Sequence, residues 1–251
     1  MRRHSRQRGN LRSFYIWHRR IGLLAGLFVL ILSLTGIALN HTEVLRLDDR
    51  HVSATWLLNW YGIDPPDETT SFETGESWVT LVEDQLYLDE RRLPGTYTEI
   101  SGAVLIGETI VVVADGDALV LSPAGDFIER LGLINGIPAG VEKIGVGKDK
   151  ALMVSAVHGL FRSDAELISW EPVAPGFDGV VWSSPTSAPR ELTERLRSDY
   201  QSHILPLERV LLDLHSGRIA GGAGVILMDL AAIILMLLIV TGGWIWLKRF
   251  G

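Results

Sequence analysis

Two uninterrupted apolar segments lie near opposite ends of the chain. Residues 21–39 and residues 230–247 contain no charged side chain. An α-helix rises about 1.5 Å per residue, so a helix of about 20 residues crosses a hydrocarbon core about 30 Å thick. The pattern therefore predicts a membrane protein with two transmembrane α-helices, the first over residues 21–41 and the second over residues 219–247.

Between these helices, short apolar runs alternate with polar turns, as is typical of antiparallel strands. Three such runs, each divided by a turn, are VTLVEDQLYLD, TIVVVADGDALVLS and ALMVSAVHGLFRS. Residues 119–122 and 160–163 belong to similar hairpins about 40 residues apart, a spacing that also occurs between propeller blades. The sequence thus predicts a β-rich domain over residues 42–186, built either as an antiparallel meander or as propeller-like hairpin repeats.

A helical stretch is predicted between the β-rich domain and the second membrane helix. Pro189 suits an early helical position, and Leu192, Leu196 and Tyr200 fall on one stripe with helical spacing. We expect a helical connector over residues 187–218. Its pattern allows the helix to continue without a break into the membrane.

Positive charge is concentrated at the two ends of the chain. Residues 1–20 contain seven arginines and no acidic residue, and Lys248 and Arg249 follow the second apolar segment. Because basic flanks stay in the cytoplasm, we expect residues 1–20 and 248–251 to be cytoplasmic and residues 42–218 to be periplasmic, in a bacterial inner membrane. The first helix is expected to be an uncleaved signal anchor, because ALNHTEV offers no A-x-A cleavage site.

Composition excludes several classes of function. The segment between the helices contains all of the chain's 30 acidic residues except Asp229, so we expect no nucleic acid as a partner. The chain has no cysteine, which excludes thiolate zinc sites, iron–sulfur clusters and c-type haem. No HExxH, GxSxG or GxGxxG motif is present, so the sequence assigns no catalytic residue.

Three histidines bracket the membrane helices: His18 at the inner edge of the first helix, His41 at its outer edge, and His215 before the second helix. Neutral imidazole is a common axial ligand of b-type haem. If both helices are straight and Trp17 and Trp246 lie at one depth, His215 lies about 10 Å above His41, close enough for the two rings to share one iron. The alternative is that these side chains bond water, lipid headgroups or loop carbonyls.

The second membrane segment contains one acidic residue and begins with several glycines. A carboxylate such as Asp229 is costly in a membrane and often functional, so we expect it either to form a structural hydrogen bond or to serve a proton or a partner protein. Gly217, Gly221, Gly222 and Gly224 give the start of the helix a smooth face. Such a face usually permits close helix packing, and the alternative is room for a flat macrocycle.

One motif recurs at both ends of the chain: a histidine and a glycine, followed by Thr-Gly near the far end of the helix. It occurs as His18/Gly22 with Thr35-Gly36 and as His215/Gly217 with Thr241-Gly242. With this pair of motifs, residues 18–41 and 211–249 resemble the PepSY-associated transmembrane helices. The residues between them, about 42–205, do not resemble a PepSY domain.

Larger members of this family have more membrane helices and look like ferric-siderophore or flavin-linked reductases with membrane b-haems. The resemblance implies that His18 and His215 are candidate ligands of haem b, with His41 as a neighbouring candidate. A chain with two membrane helices would then form a homodimer, bind at most one haem, or keep the helix packing without haem.

Two functions follow from these observations. The first is a membrane-anchored accessory or scaffold subunit that presents the acidic periplasmic β-domain to a protein partner in the membrane or the periplasm. The alternative is a b-type haem-binding electron-transfer protein. The absence of a catalytic motif and the small number of helices favour the first function, and the family resemblance favours the second. Whether the protein is an enzyme stays open.

Overall fold

The computed structural model describes the backbone of residues 3–174 and 176–250, and the side chains of residues 15–174 and 176–247. Six α-helices occur in the described residues. In chain order they are α1 (Arg3–Asn40), α2 (Thr42–Leu45), α3 (Thr55–Trp60), α4 (Arg190–Ser202), α5 (Leu207–Ser216) and α6 (Gly221–Phe250).

The chain divides into two compact units. We call Met1–Leu57 together with His203–Gly251 the membrane unit, and Leu58–Ser202 the β-domain. The two long helices belong to the membrane unit, and all the strands belong to the β-domain. Each unit is described separately below.

Two helical segments are long and apolar enough to cross a membrane: Tyr15–Asn40 in α1, and Arg218–Leu247, most of which is α6. Together with the β-rich region between them, they confirm the predicted fold class. The backbone of α1 begins at Arg3, within the predicted basic tail. The side chains of residues 1–14 and 248–251, which carry much of the predicted terminal charge, lie outside the described residues.

The helix pair formed by α1 and α6 turns its large aliphatic side chains outward. Leu23 is 82% exposed and Ile239 is 74% exposed. Small and polar residues of these helices are buried, among them Ala25, Ala231 and Thr35, the last of which contacts His215 of α5. This distribution suits a lipid environment, where small residues let helices approach closely and interhelical hydrogen bonds help to hold them together.

The predicted helical connector consists of two separate helices. α4 belongs to the β-domain, and α5 belongs to the membrane unit, where it packs against α1. Gly217 ends α5 in a left-handed conformation at φ +79°, and a 3₁₀ turn over Arg218–Ala220 follows. Gly221 then adopts φ +63° and ψ −152°, a conformation that glycine alone adopts readily. The chain therefore turns between α5 and α6, and the unbroken helix that the sequence allowed does not form.

Backbone hydrogen bonds hold the segment after α1 against the segment before α5. Val52 N donates to Leu205 O at 2.9 Å, and Leu207 N donates to Arg50 O at 2.7 Å. These bonds fix where α5 begins, and they explain how a short helix is kept alongside the end of α1.

The β-domain contains three antiparallel sheets, each built on a four-strand meander. The first comprises β1 (Thr69–Thr74), β2 (Ser77–Val82), β3 (Gln85–Leu88) and β4 (Arg91–Arg92). The second comprises β5 (Ile100–Ile106), β6 (Thr109–Ala114), β7 (Asp117–Leu121) and β8 (Phe127–Leu131). The third comprises β9 (Val141–Gly147), β10 (Leu152–Ala156), β11 (Gly159–Ser163) and β12 (Trp170–Val173), with β13 (Val180–Trp182) on the free side of β9.

The predicted hairpin repeat corresponds to the same position in successive sheets. The similar segments 119–122 and 160–163 overlap β7 and β11, which are the third strands of the second and third sheets. The first strands of the three sheets, β1, β5 and β9, lie next to one another. This is the arrangement of blades in a propeller, with three blades described.

An extended segment after β13 runs along the first strand of every sheet. Ser183 N donates to Ile144 O at 2.9 Å, and Thr186 N donates to Ser71 O at 2.9 Å. The Ser183 hydroxyl accepts from Ala103 N at 3.0 Å and donates to Ala103 O at 2.8 Å. The segment thereby ties the three sheets together at their inner edges.

The core of the β-domain lies between neighbouring sheets. One apolar cluster joins the first and second sheets, and another joins the second and third. Because the second sheet is covered on both faces, the adjacent residues Val111 and Val112 of β6 are both fully buried. α4 packs against the first sheet, where Leu196 lies beside Tyr87, and the Tyr87 hydroxyl donates to Asp199 at 2.9 Å.

Candidate functional site in the helix pair

Each repeated motif places its histidine against the Thr-Gly pair of the other motif. His18 Nδ1 lies 3.1 Å from Thr241 Oγ1, and His215 Nδ1 lies 2.8 Å from Thr35 Oγ1. We call His18, Thr241 and Gly242 the His18 cluster, and His215, Thr35 and Gly36 the His215 cluster. Each histidine meets the Thr-Gly pair of the other motif because α1 and α6 run in opposite directions. The start of each motif therefore lies beside the end of the other.

The glycine of each cluster makes room for the imidazole ring. A Cβ atom placed on Gly36 would lie 3.5 Å from His215 Cε1, and one placed on Gly242 would lie 3.6 Å from His18 Cε1. A methyl group would just fill this space, and a larger side chain would displace the ring. The Thr-Gly sequence thus supplies a hydrogen-bonding oxygen and, one residue later, a flat surface for the ring.

The threonine hydroxyls determine which ring nitrogen carries the proton. Thr35 Oγ1 lies 2.7 Å from Ile31 O, and Thr241 Oγ1 lies 2.8 Å from Leu237 O. A carbonyl oxygen only accepts, and a hydroxyl has one proton, so that proton goes to the carbonyl. The hydroxyl oxygen is then left to accept from Nδ1–H of the histidine. The hydrogen-bond network therefore assigns the proton of each neutral ring to Nδ1 and a lone pair to Nε2.

Nε2 is the ring nitrogen that stays free in both clusters. In the part of the chain that the structure describes, no group hydrogen-bonds Nε2 of His18 or of His215. A neutral imidazole with a bonded Nδ1–H and a bare Nε2 is the usual state of a histidine that ligates a metal. It can also accept a proton or a hydrogen bond from a small ligand.

A groove opens beside the His18 cluster. Its volume is about 300 Å³, and its lining is apolar except for the imidazole and the threonine hydroxyl. The lining residues are Trp17, His18, Ile21, Leu24, Ile234, Leu237, Leu238 and Thr241. A ligand in this groove would need an extensive apolar surface.

The two clusters are too far apart to act on one ligand atom. His18 and Thr35 are 17 residues apart in one continuous helix, which corresponds to about 25 Å. The rings of His18 and His215 therefore cannot bind the same iron within one chain. Each cluster is a separate site.

His41 lies beyond the His215 cluster. It follows the last residue of α1, its side chain is exposed, and it is five residues past Gly36, or about 8 Å along the helix direction. The sequence-based estimate put His215 above His41, because it assumed a straight helix through His215. The turn after α5 instead brings His215 level with Thr35. No described hydrogen bond or ring contact joins His41 to His215, and a shared iron between them stays a prediction.

The four glycines before the second membrane segment have different surroundings. Gly217 and Gly224 face each other across the turn: a Cβ on Gly217 would lie 2.5 Å from Gly224 O, and a Cβ on Gly224 would overlap Gly217 O. Gly221 provides the unusual backbone angles of the turn. Gly222 has open space around it. Close packing thus involves Gly217 and Gly224, which position α5, and with it His215, against the helix pair.

Asp229 lies on the exposed surface of α6. Among the described groups, none hydrogen-bonds or forms an ion pair with its carboxyl group. The predicted structural hydrogen bond is therefore not made within the described part of this chain.

Sequence reasoning missed Asp213, which is two residues before His215. Its side chain is buried, and Arg209 Nε donates to Asp213 Oδ2 at 2.9 Å within α5. The Arg–Asp spacing of four residues was a signal for this helical ion pair. The pair stabilises the helix that carries His215.

The strongly perturbed groups of the β-domain have structural roles. Burial, and then the hydrogen bond to Asp199, raise the pKa of Tyr87. Burial works to raise the pKa of Asp115, but bonds from the Thr98 hydroxyl and from the backbone N–H of Thr98 and Glu99 outweigh it and lower that pKa. Within the described residues, no group of three or more histidine and acidic side chains could hold a metal ion.

The family model of the PepSY-associated TM region matches residues 1–249, which include both long helices and the β-domain between them. No curated protein and no solved structure matches the chain.

Proposed function

The chain belongs to the PepSY-associated transmembrane family, and we propose that its helix pair binds haem b and transfers electrons. His18 and His215 are the proposed axial ligands, each in its own cluster. The observation that carries this proposal is the hydrogen bond from each Nδ1–H to a threonine hydroxyl, which leaves Nε2 with a free lone pair. Metal-ligating histidines are commonly held in this way.

The donor chemistry fits b-type haem. Both proposed ligands are neutral imidazoles, and the groove of about 300 Å³ beside His18 offers the apolar surface that a macrocycle needs. Trp17 adds an aromatic face at the same end. One described histidine is available at each cluster, so a second axial ligand would come from another chain.

The separation of the clusters fits transfer across a membrane. When bound, haem supplies one-electron chemistry. The residues that would hold haem lie at two levels about 25 Å apart, close to the thickness of a hydrocarbon core. Thr35 and Thr241 fix the orientation of the rings, and the outward-facing aliphatic side chains exclude water.

The proposed topology follows from terminal charge. We place the His18 cluster at the cytoplasmic side of a bacterial inner membrane, next to Arg19 and Arg20, and the β-domain in the periplasm. A reporter fused after residue 251 should be active in its cytoplasmic form. Activity of a periplasmic reporter at that position would overturn this topology.

The haem proposal is tested by the visible absorption spectrum of the protein, purified in mild detergent from haem-sufficient cells. We expect b-type bands that sharpen on reduction with dithionite. His18→Ala and His215→Ala should each lower the absorbance, and the double variant should remove it. His158→Ala is the matched control, because His158 is exposed in a turn of the β-domain. A colourless, folded wild-type protein would overturn the proposal.

A second candidate function is an accessory subunit that presents the acidic β-domain to a protein partner. It is favoured by exposed aliphatic side chains around a 3₁₀ turn of the β-domain, Leu133–Asn135, in which Leu133 is 65% exposed and Ile134 is fully exposed. Ile168, also exposed, is close to this turn, because a Cβ on Gly136 would lie 3.4 Å from Ile168 O. Exposed apolar patches on an otherwise polar surface often mark protein interfaces.

The accessory function predicts that Ile134→Asp reduces co-purification of a membrane or periplasmic partner and leaves folding unchanged. Val157→Asp, at another exposed position of the β-domain, is the matched control. Unchanged co-purification with Ile134→Asp would exclude this patch as the interface.

A further inference from the structure

Asp229 has a carboxyl group on the outside of a membrane helix. It lies in the third turn of α6, within the apolar span Arg218–Leu247. The side of α6 that meets α1 is a different one, since Thr241 and Gly242 contact His18 of α1 and do not share the helical face of Asp229. Within the described part of the chain, no group neutralises or hydrogen-bonds the Asp229 carboxyl.

The depth of Asp229 makes contact with water costly. It is 12 residues before Thr241, which lies level with His18, so it is about 18 Å along α6 from the His18 cluster. The hydrocarbon core is about 30 Å thick, and an aspartate side chain is too short to reach across several turns. An ionisable side chain at such a depth normally faces a protein partner.

The residues around Asp229 form a face suited to another helix. Those that share this face of α6 at helical spacing and are exposed are Gly222, Ile226, Ile233 and Met236. Gly222, about two turns from Asp229, has nothing near its Cβ position. A small residue and a polar residue on one helix face are features that let membrane helices pack closely and hydrogen-bond.

We propose that this face, which we call the Asp229 face, is the interface of a homodimer in which the two α6 helices pack together and the two Asp229 carboxyl groups share a proton. All copies enter the membrane in one orientation, so their Asp229 residues lie at one depth. A two-fold axis along the membrane normal then brings identical residues together. Two facing carboxyl groups satisfy each other when one is protonated and donates to the other.

The proposal is independent of haem binding. It needs only the position of Asp229 and the common orientation of the chains. A partner helix with a lysine or arginine at this depth would also satisfy a carboxylate, and the experiment distinguishes that occupant from a second copy.

The absence of cysteine from the chain allows a direct test. Single cysteines are introduced into the full-length protein at Ile226 and Ile233, on the Asp229 face, and the membranes are oxidised. Leu227→Cys is the matched control, because Leu227 is equally exposed at nearly the same depth on a different side of α6. We expect a disulfide-linked dimer with Ile226→Cys and Ile233→Cys, several times more abundant than with Leu227→Cys.

Adding Asp229→Leu to Ile226→Cys should remove most of the linked dimer, and adding Asp229→Asn should retain it, because an amide pair can still hydrogen-bond. Three results would overturn the proposal: no linked dimer at either position, equal linkage at Leu227, or linkage to a different membrane protein in place of a second copy. The dimer is detected by electrophoretic mobility and haem by visible absorption, so the two tests are separate. A colourless protein that forms the linked dimer would overturn the haem proposal and support the dimer proposal.

Discussion

The β-domain and the helix pair distribute their side chains in opposite ways. In the β-domain the aliphatic residues of the central strands are inside, and Val111 and Val112 are fully buried. In the helix pair Leu23 and Ile239 face outward, and the polar Thr35 is buried, with its hydroxyl against His215 of α5. The first arrangement is stabilised by removing apolar surface from water. The second is expected where lipid replaces water and helices associate through small residues and hydrogen bonds.

This contrast separates two roles for buried polar groups. In the β-domain, buried hydroxyl groups such as those of Thr80 and Ser71 bond each other within a sheet, which completes the structure. In the helix pair, the hydroxyl groups of the buried Thr35 and the partly buried Thr241 bond histidines whose Nε2 has no described partner. The polar contacts of the helix pair therefore leave a ring nitrogen without a described partner, and those within this sheet do not.

The largest expected difference between the two regions concerns leucine truncation. Leu119→Ala removes a buried side chain between the first and second sheets, and should destabilise the β-domain by about 2–5 kcal/mol. Leu23→Ala removes an exposed side chain from α1, and should change stability by less than about 1 kcal/mol in detergent. Thermal unfolding of both purified variants, followed by circular dichroism, measures the comparison. Equal losses would mean that α1 does not face lipid.

The next effect concerns glycine in the helix pair. Gly224→Ala forces a Cβ against the Gly217 carbonyl, and should cost about 1–3 kcal/mol because the turn between α5 and α6 must shift. Gly26→Ala is the matched control: nothing lies near its Cβ position, and alanine favours a helix. Detergent-resistance assays on the two variants would detect the difference. A Gly224→Ala protein as stable as Gly26→Ala would contradict the close contact.

Much of this contrast could be predicted from the sequence. The uncharged segments identify both membrane helices, and Asp115-Gly116 marks the turn between β6 and β7. The turn after α5 could not be predicted, because Gly217 and Gly221 are also tolerated inside membrane helices. The segment from Val180 to Thr186 has no periodic pattern, and only the assembled sheets give it hydrogen-bond partners.

The candidate site was only partly predictable. His18 and His215 stand out because each begins a repeated motif. Their partners could not be assigned, because Thr35 and Thr241 reach them only when the helices lie side by side in opposite directions. The exposure of Asp229 likewise depends on which side of α6 meets α1.

A smaller effect is expected from the interhelical hydrogen bonds. Thr35→Val keeps the shape of the side chain and removes the oxygen that His215 bonds, so it should cost about 0.6–1.7 kcal/mol. Thr241→Val should behave alike, and the double variant should show the sum, since the clusters are about 25 Å apart. Ser33→Ala is the control, because the Ser33 side chain is exposed. Reversible unfolding in mixed detergent micelles measures each loss, and strong non-additivity would contradict separate clusters.

The smallest expected effect concerns the β-domain, where the carboxylate of Asp115 supports a turn. The pKa of Asp115 is lowered, so its carboxylate adds stability above the ordinary aspartate pKa of about 4, and that stability is lost as pH falls through the lowered value. Asp115→Asn should cost about 0.5–1 kcal/mol at neutral pH, since the carboxylate is exposed, and the difference should vanish in acid. Asparagine also tolerates the left-handed backbone at this position, φ +50°, so the substitution tests the charge and not the turn. Denaturant unfolding between neutral and acid pH, with Glu108→Gln as an exposed control, measures the difference. A gap that persists at low pH would mean that the carboxylate charge contributes nothing.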